Sequence, residues 1–211
     1  MNTIITKKVT LIPAPEPITD TRIKVRLDDP NSLTWGLYSL TFTQGTSKAV
    51  IDWGDGISEE VTESGSRTHD YARTGVYVVR ISNDISELRF SAKTATSEFR
   101  EIYAKAILEF HTAASRLEVL GMNCFYDAEN FYLFKCEGEA VREIRLNAFG
   151  LCPKLEGVLD LPNVIKLASN SFPDCPNITE LRFSTANKAT IEGLSGYGES
   201  FGAENAIVTF A

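Results

Sequence analysis

Residues 147–155 read NAFGLCPKL, residues 170–178 read NSFPDCPNI, and upstream residues 123–131 read NCFYDAENF. An offset of 23 carries Asn147, Phe149, Cys152, Pro153 and Leu155 onto Asn170, Phe172, Cys175, Pro176 and Ile178, and Val141 onto Val164. An offset of 24 carries Leu117, Leu120, Asn123, Phe125, Ala128 and Phe131 onto Val141, Ile144, Asn147, Phe149, Cys152 and Leu155. Two spacings that each preserve six positions mark an internal repeat, and a repeat of this length means stacked supersecondary units.

Within each unit a smaller phrase places apolar residues at i, i+3 and i+5: Leu117/Leu120/Met122, Phe131/Phe134/Cys136, Val141/Ile144/Leu146 and Ile178/Leu181/Phe183. The starts at 117, 131, 141, 155, 164 and 178 alternate long and short steps, which predicts two short extended segments per unit joined by two turns. Segments this short cannot hide their apolar faces alone, whereas stacked copies bury one continuous column. Phe125, Phe149 and Phe172 are therefore expected in a single buried file, and Asn123, Asn147 and Asn170 in a ladder that satisfies turn backbone. Ile85/Leu88/Phe90 and Phe99/Ile102 read as a worn first turn. Ile207/Phe210 reads as a closing strand after the Gly-rich insertion GLSGYGESFG (193–202). Residues 97–111 support two readings, since Phe99, Ile102, Tyr103, Ala106, Ile107 and Phe110 also fit helical spacing.

The set Val141, Ile144, Phe149, Cys152, Leu155 and Val158 resembles the BspA-type leucine-rich repeat of bacterial surface proteins. The resemblance covers roughly residues 85–211 and implies a curved solenoid of about four to five turns, with a sheet on one face and short helical or 3-10 segments, used for adhesion and partner binding. It brings no catalytic residues with it.

The front of the chain follows another pattern. AVIDWGDG (49–56) alternates Ile51 and Trp53 with polar residues and ends on Asp-Gly, a hairpin signal. HDYARTGVYVVRIS (69–82) turns at Thr74-Gly75 and continues with Tyr77, Val79 and Ile81 at period two, and ITDTRIKVRL and LYSLTFTQ read as two earlier strands. Short strands with frequent turn signals predict a small β-sandwich. The pair W-G-D-G and H-x-Y-x3-G-x-Y-x-V resembles the PKD-like, immunoglobulin-type domain of extracellular bacterial proteins, over about residues 19–83. The expected fold class is thus mainly β, with an extended lead-in at 1–18 containing IPAPEP, a sandwich at 19–83, and a leucine-rich-repeat solenoid at 84–211.

The chain has 211 residues, 43% of them hydrophobic, and a formal net charge of -7. The acidity is spread over both halves, which leaves no basic footprint for nucleic acid. No apolar run reaches the roughly 18 residues of a membrane span, and MNTIITKKVTLIPAPEP lacks the apolar core of a secretion signal. Either the protein stays inside its cell or its leader is not part of this chain.

Candidate chemistry is sparse. The four cysteines lack C-x2-C spacing or a Cys/His quartet, so they read as small buried hydrophobes. Cys152 and Cys175 occupy equivalent places, which keeps a disulfide open. GESFG (198–202) matches the nucleophile-elbow pattern, but both histidines, His69 and His111, lie upstream of Ser200, so a loop serine is expected. Asp52 and Asp55 suit turn capping better than a cation, and His69 suits a turn. Asn177 begins an N-I-T acceptor triplet whose Ile178 is a core position, so modification is not expected. No catalytic, cofactor-binding or metal-binding residue is assigned.

The reading that remains is a non-catalytic binding or adhesion module of a bacterial surface protein, recognising a protein or glycan, with Tyr132, Arg145 and Arg182 as its outward contact face. A structural component of a larger assembly, such as a phage virion, is the alternative. A hydrolase built on Ser200 or the Asp pair is the remote one.

Overall fold

A computed structural model describes residues 20–42, 48–82, 85–91, 102–113, 116–138 and 140–211. The lead-in expected at 1–18, and Phe99 of the expected worn turn, lie outside the described residues. The N-terminal strands are β1 (Thr21–Leu27), β2 (Thr34–Phe42), β3 (Ala49–Asp52), β4 (Ser58–Val61), β5 (Gly65–Asp70), β6 (Gly75–Ile81) and β7 (Ile85–Arg89). A single helical turn, α1 (Ile102–Ala106), runs directly into β8 (Ile107–Thr112), so the 97–111 stretch divides between helix and strand. Then come β9 (Val119–Leu120), β10 (Leu133–Cys136), β11 (Glu143–Ile144), β12 (Gly157–Leu161), β13 (Lys166–Leu167), β14 (Ile178–Phe183), α2 (Lys188–Glu192) and β15 (Ile207–Phe210).

The chain is mainly β, but it does not form the small sandwich followed by a leucine-rich-repeat solenoid that the sequence leads one to expect. Three mixed or parallel sheets form instead. The first has the order β10-β8-β1-β6-β3-β4 and the second β13-β11-β9-β7-β2-β5, so both contain strands from each half of the chain, while β12-β14-β15 makes a third. The reason lies in strand edges. β1 pairs antiparallel with β6 and β8, and β8 then accepts β10 in parallel, Glu109 opposite Leu133. On the other side β7, antiparallel to β2, accepts β9 in parallel, Leu88 opposite Leu120. An open sheet edge is a row of unpaired backbone groups, and the first repeat unit covers two such edges rather than starting sheets of its own.

The repeat shows itself as stacking. Glu143 of β11 lies opposite Val119 on one side and Lys166 on the other, offsets of 24 and 23. The nine-residue phrases form turns bonded rung to rung: Asn123 N–H donates to Leu146 O, Phe125 to Ala148 O, Asn147 to Asn170 O and Phe149 to Ser171 O. Asn123 and Asn147 adopt left-handed backbone, φ 58° and 54°, which asparagine tolerates better than most residues. Asn170 Nδ2 reaches Asn147 Oδ1 at 3.4 Å.

Phe125, Phe149 and Phe172 form one fully buried file, with centroids 5.1 and 5.0 Å apart and planes within 28° and 18°. The file continues into the N-terminal half, where Phe90 lies 5.3 Å from Phe125 and 6.0 Å from Trp35, and Trp35 meets Trp53 edge-on at 6.3 Å. One apolar core therefore runs from Ile23 to Ala206.

Four apolar positions depart from the repeat pattern. Met122 and Leu146, the third members of their phrases, are exposed, because each lies past the end of a two-residue strand where the chain turns outward. Val158 is exposed because Gly157, at φ 79°, inserts an irregularity into the β12–β14 register and turns Leu159 and Leu161 inward in its place. Ile207 pairs with Glu180 rather than with Ile178, which leaves it 62% exposed, and Ala206 fills the interior instead.

Candidate functional site

The three residues expected to share one outward face lie on three sheets. Tyr132 precedes β10 of the first, Arg145 follows β11 of the second, and Arg182 sits in β14 of the third. Each is tied down by neighbouring strands. Arg145 Nη1 is 3.1 Å from both Glu87 carboxylate oxygens and its Nε 2.8 Å from Glu143, so the guanidinium spans rungs. Arg182 donates to Asp160 at 3.0 Å and to Glu180 at 2.9 Å, and Thr209 donates to the same Glu180 oxygen at 2.6 Å. These bonds from Thr209 and Arg182 hold the Glu180 carboxyl below the usual carboxylate range. The Tyr132 hydroxyl donates to Glu109, which also takes Lys24 Nζ at 2.7 Å. Burial pulls the Glu109 carboxyl upward, but the bonds from Lys24 and Tyr132 outweigh it and leave the group below its ordinary value.

The chemistry-bearing residues of the sequence serve the fold. Asp52 Oδ1 accepts from Gly54 N–H at 2.9 Å and Asp55 Oδ1 from Ile57 N–H at 3.1 Å, closing the β3–β4 turn. Gly54 is required there: at φ 82° a Cβ would come within 2.6 Å of Val78 O. Asp55 Oδ2 lies 2.8 Å from His69 Nε2, and the imidazole stacks on Trp53 at 5.2 Å. Among the described residues no three His, Cys, Asp or Glu side chains group as metal ligands.

All four cysteines are free and buried. Cys124 donates to Leu88 O at 3.1 Å, Cys152 to Phe125 O at 3.2 Å and Cys175 to Phe149 O at 2.7 Å, each a bond back to the preceding rung. Burial pushes the Cys124 and Cys152 thiols well up and Cys136 up to about 12, which keeps them protonated as donors. Ser200 Oγ donates to Ala206 O at 2.7 Å, and the polar recess beside it is lined by Asn170, Asp174, Glu199 and Glu204 with no histidine. The GESFG segment is a plug: Ser200 and Phe201 take left-handed backbone, φ 47° and 54°, and the fully buried Phe201 meets Phe183 edge-on at 6.3 Å while its carbonyl accepts from Phe172 N–H.

Two features escape sequence reading. The first is a set of asparagine clamps, Asn130 to Lys105 O, Asn177 to Pro153 O, Asn187 to Pro162 O and Asn205 to Pro176 O, at 2.6–3.1 Å. The amide of Asn177 is thus engaged by the fold. The second is the outer face of the first sheet, where Arg22, Lys24 and Arg26 alternate with the buried Ile23, Val25 and Leu27. The signal was present in TRIKVRL as a cation at every second position.

No helix of the described residues is long and apolar enough to cross a membrane. Neither a family model, nor a curated protein, nor a solved structure matches the chain.

Proposed function

We propose that this chain is a non-catalytic binding or adhesion module, displayed at a bacterial cell surface, which holds a protein or glycan partner on the outer faces of its sheets. The observation that carries the reading is the anchoring of its outward side chains: Arg145 between Glu87 and Glu143, and Arg182 between Asp160 and Glu180. A side chain already held in one geometry loses less entropy on meeting a partner. The surface location rests on the likeness of the repeat phrase and of the W-G-D-G and H-x-Y pair to bacterial extracellular modules.

The test is a glycan array together with pull-down by the purified chain, repeated with Tyr132→Ala, Arg145→Ala and Arg182→Ala combined. Capture by the native chain and its loss in the triple variant are expected, with folding retained because all three side chains reach solvent. Capture of nothing overturns the reading, and capture unchanged in the variant overturns these three residues as its contact face.

A second reading, a structural part of a larger assembly such as a phage virion, is favoured by β15. It is the last strand of its sheet, and it offers a neighbouring subunit an open edge and the 62% exposed Ile207. Concentration-dependent association in sedimentation velocity, abolished by Ile207→Lys, supports this second reading. A strict monomer excludes it.

A further inference from the structure

The outer face of the first sheet carries a charge distribution opposite to that of the chain. Lys135 of β10 pairs with His111 of β8, His111 with Arg22 of β1, and Arg22 with Arg80 of β6, so these side chains form one row across four adjacent strands. Neighbouring strands are about 4.8 Å apart, which sets the interval between members of the row. Beside the row Lys24 and Arg26 lie along β1, Lys24 bonded to Glu109 at 2.7 Å, and the row continues past Arg80 to Asp52 of β3. Like charges directly opposite one another are unfavourable in a sheet. A formal net charge of -7 makes the clustering of cations on one face a strong local asymmetry.

The same face is partly apolar. Val76 and Val78 are 51% and 40% exposed, and Val78 and Leu133 help line a cleft of about 330 Å³ with Arg22, Lys24, Glu109 and Lys135. Both edges of β1 are already paired, by β6 and β8, so a peptide has no backbone to pair with at the centre of the face. What the face offers is cations among aliphatic side chains. A flexible acidic peptide loses much conformational entropy on such a surface, whereas a stiff polymer of sugar rings loses little and sets its C–H faces against the valines and leucine.

We propose that the outer face of the first sheet binds an acidic polysaccharide, whose anionic groups meet Lys135, Arg22 and Arg80 of the row and whose rings rest on Val76, Val78 and Leu133. This names the partner class of the binding module and rests on that reading. Three members of the row have acidic neighbours: Arg22 has Asp20 at 2.8 Å, His111 has Glu137 at 3.3 Å, and Arg80 has Asp52 opposite it on β3.

The test is binding of the full chain to polygalacturonate and to heparin, with dextran, poly-L-glutamate and single-stranded DNA as comparison probes, at low and high salt. Binding to either acidic polysaccharide, and to none of the comparison probes, is expected. Arg22→Glu combined with Lys135→Glu should weaken it at least about tenfold, with an unchanged urea midpoint. Glu60→Gln, on the far edge strand β4, should leave binding intact. Should the double variant fail to fold, Lys135→Gln alone, at an exposed position, is expected to give a smaller loss. Equal binding to poly-L-glutamate or DNA overturns the proposal, as does binding untouched by the charge changes. Capture of a neutral glycan or a protein through Arg145 and Arg182, with no polyanion bound, overturns it and leaves the module reading standing. Capture of nothing overturns both.

Discussion

The ring of Phe90 lies 5.3 Å from that of Phe125, and with this contact the aromatic column of the repeat joins the tryptophan pair of the N-terminal strands. Phe90 also stacks on Trp35, whose indole N–H donates to Tyr103 O at 2.9 Å. The two halves of the chain consequently share a core as well as sheets, and the outer faces that carry the proposed contacts are braced from within by the same column.

Phe149, between Phe125 and Phe172, is the column's central member. Phe149→Ala is expected to destabilise the chain by about 3–5 kcal/mol, through lost transfer energy and the cavity it leaves. Urea denaturation followed by tryptophan fluorescence checks this. Because Trp35 and Trp53 belong to the same core, a single transition should report the loss across the chain, and an unchanged midpoint would contradict the shared core.

Leu151 holds φ 56° at the rung corner where Asp127 and Asp174 hold 66° and 57°. Left-handed backbone costs a branched apolar residue about 1–2 kcal/mol, and asparagine much less. Leu151→Asn is therefore expected to raise the denaturation midpoint by the equivalent of about 0.5–1 kcal/mol, and Asp174→Val to lower it. Both shifts reversed would show that side-chain contacts, not backbone strain, govern these corners.

Asp55 is a pH-sensitive brace. Burial raises its carboxyl, but the hydrogen bond with His69 and the backbone bond from Ile57 overcome this and leave it below the ordinary 3.8. A group depressed on folding contributes stability above its unfolded value and loses it as pH falls through its folded value. Asp55→Asn should accordingly cost about 1–2 kcal/mol at pH 7, with the gap to the native chain closing below about pH 4. Denaturation midpoints across that range provide the check.

Asn177→Ala removes the bond to Pro153 O and should cost about 1 kcal/mol, as should Asn205→Ala at Pro176 O. Asn147→Gly, by contrast, keeps the left-handed corner available and should be close to neutral, while Asn147→Ala should cost about 1 kcal/mol. Equal losses for both Asn147 variants would assign that residue's role to its amide rather than to its backbone.

Asn147, Phe149 and Cys152 were readable one rung at a time, because a fixed interval places equivalent side chains above one another whatever the rest of the chain does. Met122, Leu146, Val158 and Ile207 match the same apolar pattern, yet they face solvent. Their fate depends on where a two-residue strand ends, on the irregularity at Gly157 and on which residue of β14 pairs with β15, and periodicity contains none of these. The contact residues divide in the same way. Exposure of Tyr132 and Arg145 follows from alternation, but their side-chain partners Glu109 and Glu87 lie 23 and 58 positions away.

From the amino-acid order alone came the rungs: their number of residues, their buried phenylalanines and their turn asparagines, because stacking of near-identical units is a local property repeated. Tertiary structure decided that those rungs extend sheets begun by β1 and β2. It also aligned Arg22 and Arg80 with His111 and Lys135, because strand pairing joins residues far apart in the chain and an open edge takes whichever strand can complete its hydrogen bonds.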